Sequence, residues 1–206
     1  MEPIIFNLPD EANLKLPDPS LVRAYEQLEN RTIWIDDEID SDYLSIVDYI
    51  LKWNKEDSEV LVSKRKPIKL LFSSPGGDLD IEEVISATIE ISQTPIIGIA
   101  MGMVASAASL IFLSCHKRYA LKSAYWVFHK GGVSNISGDY DNIKNMMKDY
   151  DEQVEKMEQF YISHTDFTEE EVKKNMGADW YIRNKEALER GIIHKVLDKD
   201  DLHLFW

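Results

Sequence analysis

The sequence predicts an α/β domain on a mainly parallel sheet. Two apolar, β-branched runs carry that expectation, Ile68–Phe72 and Ile96–Ala100, each followed by a glycine-bearing turn and a helical pattern. A third run, Tyr125–Phe128, ends at His129 just before Gly131 and Gly132. Strands alternating with helices of this length imply right-handed strand–helix units.

The first 20 residues hold four of the seven prolines, so this segment is expected to be an extended arm. A short amphipathic helix is expected over 20–29, then a strand over 32–36. Ser41 is expected to cap a helix carrying Tyr43, Leu44, Ile46, Val47, Ile50 and Leu51 on one face. The polar stretch 54–66 reads as a surface loop. A helix is expected over 79–93, with Asp80, Glu82 and Glu83 in its first turns and Pro95 beyond its end. Over 139–163, Ile143, Met146, Met147, Tyr150, Val154, Met157 and Tyr161 recur at three- and four-residue spacing. They form one apolar stripe. That stripe fits either a helix lying on its own core or one that pairs with another subunit.

Composition excludes several functions. The chain has 206 residues, enough for one α/β domain with a substantial core. A net charge of −14 disfavours binding to nucleic acid or to an anionic membrane. The one cysteine, Cys115, excludes an internal disulfide and a cysteine-based zinc site, and it reads as a buried small hydrophobe. No paired-histidine metal motif or phosphate-binding glycine loop is present, so no metal and no cofactor is expected. The N-terminus lacks a basic region followed by an apolar core, and no stretch is long enough to span a bilayer. A cytoplasmic protein is expected.

The candidate chemistry centres on Ser106. A β-branched strand, then Gly102 in an expected tight turn, then small residues around one hydroxyl, then the apolar run Leu110–Leu113 make a strand–turn–helix unit. Such a turn exposes a serine hydroxyl, and the N–H groups at the helix start can hold an oxyanion. Small-residue helix starts also occur wherever a helix packs closely on a sheet, so the motif gains weight only from its companions. Upstream, Ser74-Pro75-Gly76-Gly77 lets backbone approach a ligand closely. Downstream lie His129 and Asp179, the latter beside Trp180 and Tyr181.

In this order, the segments resemble the Clp protease proteolytic subunit family. The resemblance runs from about Leu21 to Val196. It rests on Ser74-Pro75-Gly76-Gly77, Met101-Gly102 with Ala105-Ser106, Lys117-Arg118-Tyr119-Ala120-Leu121, His129, His164-Thr165, Asp179, and Glu186 through Ile193. It implies repeated ββα units of the crotonase-like superfamily over 21–198, flanked by the arm 1–20 and a tail 199–206. It also implies a projecting handle over 131–163, made of a strand near 131–138 and the long helix.

The resemblance implies a serine endopeptidase that cleaves unfolded polypeptides through an acyl-enzyme. Its triad would be Ser106, His129 and Asp179, with Asn175 the alternative to Asp179. The oxyanion hole would be the N–H groups of Gly77 and Ala107, the family more often having methionine at the latter position. Ser109 is expected to have no catalytic part, His164 to be structural, and His116, His194 and His203 to lie on the surface. Heptameric rings, stacked as a tetradecamer, and a hexameric AAA+ unfoldase partner are also implied. Two departures bear on that partner: the proline-rich start lacks a clear N-terminal hairpin motif, and loop 54–66 is long. Other readings are a crotonase-fold acyl-CoA enzyme, which would use acidic residues for proton transfer, and a noncatalytic ring subunit. The Ser-His-Asp order argues against both.

Overall fold

The computed structural model describes residues 18–132 and 137–205. The expected arm lies outside the described residues up to 17, as does the middle of the expected handle strand, 133–136.

Asp18 caps α1 (Pro19–Glu29) by accepting from Ser20 N–H, and Pro19 supplies the fixed backbone angle a first helical turn favours. Strand β1 (Thr32–Ile35) follows. The next cap is Asp40, not Ser41. Asp40 accepts from Asp42 N–H and starts a short 3₁₀ turn, Ser41–Leu44, which runs into α2 (Ser45–Glu56). The helix therefore continues into the stretch expected to be loop. The reason is polar and local to the fold: Asn54 donates to Ser92 Oγ and accepts from the N–H groups of Gln93 and Thr94. Just past the helix, buried Asp57 takes two hydrogen bonds from Arg31, at 2.6 and 3.0 Å, and one from Thr94 Oγ1. Those bonds hold its carboxyl below the usual range, the Arg31 bonds foremost. Residues 54–66 are thus anchored at both Asn54 and Asp57.

The sheet is parallel in the order β1, β2 (Ile68–Ser74), β3 (Ile96–Ala105), β4 (Lys117–Ala120), β7 (Lys195–Val196). Strand β5 (Tyr125–Phe128) pairs parallel with the far end of β3, and β6 (Trp180–Arg183) pairs antiparallel with β5. The alternating side chains of β2 feed two cores. Leu70 and Phe72 join the main one beneath α2, α3 (Leu79–Ile91) and α4 (Ala107–Ser114), where Phe72 meets Phe112 edge-on at 5.3 Å. Leu71 points the other way, to a smaller core with Ile97, Ile99 and Leu197. Leu204 and Phe205 pack onto that second face from a 3₁₀ segment, Lys199–Phe205, so this part of the tail is docked on the sheet.

Arg118 ties the sheet edge together. Its guanidinium donates to the carbonyls of Leu113, Cys115, Gly191 and Ile192. That satisfies the end of α4 and fixes the approach to β7. Burial at the C-cap of α4 pushes the Cys115 thiol up to about 12, which leaves it unreactive. His116 and His194 are exposed as expected, yet each uses Nδ1 to accept a backbone N–H, from Ile96 and Arg118 respectively.

Along the long helix α5 (Tyr140–His164) the apolar stripe divides in two. Met157 and Tyr161 are buried in the main core, whereas Met146 and Met147 are 43% and 41% exposed. Helices α6 (Glu169–Asn175) and α7 (Asn184–Glu189) complete the described fold. Among the described residues, no helix is long and apolar enough to cross a membrane.

Candidate active site

The turn at the serine is built differently from the sequence expectation. Gly102 lies inside β3, not at a turn. It sits in a bulge: Phe72 pairs with Ala100 but Ser74 pairs with Val104, so β3 carries the extra residues. A Cβ on Gly102 would come 2.9 Å from Ser73 Oγ, so a larger residue there would have to push that hydroxyl aside. The sharp turn falls on Ser106 itself, at φ 51° and ψ −129°. This left-handed backbone costs a residue with a side chain about 1–3 kcal/mol and persists only where its surroundings over-determine it. Here Ser106 N–H donates to Val127 O at 2.9 Å, locking the turn to β5.

Gly76 and Gly77 are clamped between Ser106 and Ile39. Gly76 has φ 99°, and a Cβ there would lie 2.6 Å from Ser106 Cβ and 2.7 Å from Ala105 O. Ile39 N–H donates to Gly76 O, and Asp78 N–H donates to Ile39 O, both at 2.8 Å. A Cβ on Gly77 would overlap the backbone of Ile39. Ser74 Oγ donates to Asp37 O and accepts from Gly76 N–H, which ties the loop to β2. Asp78 then caps α3 by accepting from Asp80 and Ile81 N–H. Ala107 opens α4, so its N–H has no partner within the helix.

Strand register brings the other two residues together. In the antiparallel β5–β6 pair, Phe128 lies opposite Trp180. The next step along that ladder sets His129 beside Asp179, and His129 Nδ1 lies 3.4 Å from Asp179 Oδ1. That is longer than a good N–H···O bond, in a pair whose side chains are 32% and 58% exposed. Asn175 ends α6, where its carbonyl accepts from Ala178 N–H in the turn toward β6. Pro75, Gly76, Gly77, Ser106, His129 and Tyr150 share one cleft of about 420 Å³.

Several residues of the site gave no sequence signal. Lys130, directly after His129, is held twice by α5: its Nζ is 3.0 Å from Glu158 Oε1, and its carbonyl accepts from Tyr150 OH at 2.8 Å. Glu158 is buried although it carries a carboxyl group. Its only trace in the sequence is a carboxylate next to the apolar stripe. Ser109, expected to have no catalytic part, is buried and donates to Ser106 O. His164 is structural: it stacks on Phe160, uses Nδ1 toward Phe160 O, and sets Nε2 3.6 Å from Glu90.

Comparison with known proteins gives the family of the chain. The model of the Clp protease family matches residues 18–200. The chain belongs to the Clp protease family. Among its relatives is the ATP-dependent Clp protease proteolytic subunit 2 of Treponema denticola, 32% identical over 154 residues, covering 69% of this chain and 76% of that protein. The subunit 2 of Pseudomonas aeruginosa is 26% identical over 133 residues, covering 64% and 66%. A mutant of ClpP1 from Listeria monocytogenes superposes with a TM-score of 0.73 at 20% identity, over 86% of this chain and 98% of that one, a likeness of fold. Clp protease membership makes the chain a serine peptidase with the ClpP-type α/β fold.

Proposed function

We propose that Ser106 is the nucleophile of this Clp protease, His129 its general base and Asp179 the group that orients His129. The observation that carries the reading is the strained Ser106 at the β3–α4 junction, opening on the same cleft as His129. With Nδ1 turned toward Asp179, His129 has Nε2 left for the serine hydroxyl. Ser106 Oγ attacks the peptide carbonyl and His129 takes its proton. The oxyanion is held by the N–H groups of Gly77 and Ala107. His129 then gives the proton to the departing amine, and water releases the acyl group by the same steps in reverse order. Closing the His129–Asp179 gap by a few tenths of an ångström on substrate binding would make it a charge-assisted hydrogen bond.

An open peptidase of this kind would cut exposed loops of its neighbours. The assembly implied by the family therefore belongs to the reading: heptameric rings, stacked in pairs through the handle, with the sites inside and an AAA+ unfoldase feeding polypeptide. Exposed Met146 and Met147 on the outer half of α5 support the ring-joining role, and the cytoplasm is the expected compartment.

A fluorophosphonate probe on the purified protein tests the nucleophile. The wild type is expected to be labelled and Ser106→Ala not, with peptide hydrolysis lost by about a million-fold. Asp179→Asn is expected to lower turnover about 10⁴-fold, and Asn175→Ala far less. A wild-type protein that resists the probe would overturn the assignment.

A further inference from the structure

Behind the serine turn, away from the cleft, runs a buried chain of hydroxyls. Ser109 Oγ lies 2.6 Å from Ser106 O and 2.7 Å from Tyr161 OH. Ser109 and Tyr161 are both fully buried. Proton count sets the directions. A carbonyl only accepts, so the single Ser109 hydroxyl proton goes to Ser106 O. Ser109 Oγ is then the acceptor for the Tyr161 phenol proton. Ser109 N–H also donates to Ser106 O, at 2.8 Å, so one carbonyl takes two donors.

That carbonyl belongs to the same peptide unit as the Ala107 N–H. The peptide is planar and trans, so the N–H points opposite to the C=O. Fixing the carbonyl from behind therefore aims the Ala107 N–H. Donors on the oxygen also polarise the unit, which strengthens the N–H as a donor. Tyr161 is itself held by the catalytic strand: its ring stacks on Phe128, the residue before His129, with centroids 4.0 Å apart.

We propose that Tyr161 and Ser109 are positioning residues: through Ser109, the Tyr161 hydroxyl fixes and polarises the Ser106–Ala107 peptide whose N–H receives the oxyanion. The proposal rests on the reading of Ser106 as nucleophile and goes beyond it, because it assigns a part to two side chains that never touch substrate. It makes a particular demand. Stabilisation of an oxyanion is felt in the transition state and not in the bound substrate, so kcat should fall while KM stays.

Tyr161→Phe is the test, since it keeps the ring on Phe128 and removes only the hydroxyl. The measurements are kcat and KM on a fluorogenic peptide, the inhibition constant of a peptide boronate whose tetrahedral adduct uses the oxyanion hole, assembly mass and melting temperature. The expected result is a roughly 3- to 10-fold loss in kcat, as for one hydrogen bond. Boronate affinity should weaken in parallel, with KM and assembly unchanged. Ser109→Ala should lose at least as much, and the double variant no more than Ser109→Ala alone, because Tyr161 acts through Ser109. If Tyr161→Phe does not fold, Ser109→Ala carries the same comparison of boronate affinity with KM. Wild-type kcat and boronate affinity in the variants would overturn the proposal, as would losses that only track the fraction assembled. Fluorophosphonate labelling of the wild type but not of Ser106→Ala separates the two levels. If the wild type is labelled and the variants match it, this proposal alone falls; if the wild type is not labelled, the nucleophile reading falls and takes this one with it.

Discussion

Glu158 reaches back from α5 to set its Oε1 3.0 Å from the Nζ of Lys130, one residue beyond His129. Only 7% of the glutamate side chain is exposed against 39% of the lysine, so the two ends of the pair are unequal. Removing the lysine strands a buried carboxylate, whereas neutralising the glutamate frees a lysine that can turn to water. Lys130→Met should therefore lower the melting temperature more than Glu158→Gln, by about 1–3 kcal/mol of stability. Thermal unfolding of both variants checks the ranking. Equal effects would mean that the pair is a solvated contact.

The glycine clamp gives a second expectation. At Gly76, φ of 99° and the 2.6 Å approach to Ser106 Cβ leave no room for a methyl group. Gly76→Ala should cut turnover at least 100-fold, on the scale of losing an oxyanion donor. Gly132→Ala, where an added Cβ meets nothing within 4 Å, is the control and should stay within a few-fold of wild type. The measurement is peptide hydrolysis at matched assembly mass.

Glu82 predicts a pH dependence of stability. Burial raises its carboxyl from 4.5 to about 7, against the opposing hydrogen bond from Ser86 Oγ. Because the folded value lies above the unfolded one, the folded state binds the extra proton. This contribution is fully present below about 4.5, is lost as pH rises toward 7, and is flat beyond. Glu82→Gln keeps an acceptor for Ser86 and removes the ionisation. The variant should melt higher than wild type at pH 8, by up to about 3 kcal/mol, and the gap should close as pH falls to about 4. A gap independent of pH would place the origin elsewhere.

Assembly through the handle is tested on its outer half. Tyr150 is tied to Lys130 O, so changing it would disturb the strand that carries His129 as well as any contact between rings. Met146 and Met147 are free of that complication and are 43% and 41% exposed. Replacing both with glutamate should halve the assembly mass from paired to single rings, read by sedimentation and native mass measurement. An unchanged mass would remove α5 from the ring–ring contact.

Much of this protein is legible in the chain because its signals are local. The β-branched run Ile96–Ala100, the glycines of Pro75-Gly76-Gly77, and the acidic first turn of α3 each declare themselves within a few residues. So does the spacing that makes α5 one helix. The limits of the sequence reading are contacts between distant segments. Asn54 gives no hint that it meets Ser92 and Thr94, nor Asp57 that it meets Arg31, so a structured stretch reads as loop. Gly102 reads as a turn because the bulge against β2 is a property of two strands.

The candidate site divides along the same line. By itself the sequence determined which residue types stand at the ends of which strands: Ser106 after β3, His129 after β5, Asp179 before β6. Only the tertiary structure set Asp179 3.4 Å from His129, because the antiparallel register that sets Phe128 against Trp180 acts across more than 50 residues of chain. It alone also turned the polar positions Ser109 and Glu158 inward. A side chain's periodicity tells which face of its element it occupies, and only packing tells what that face meets.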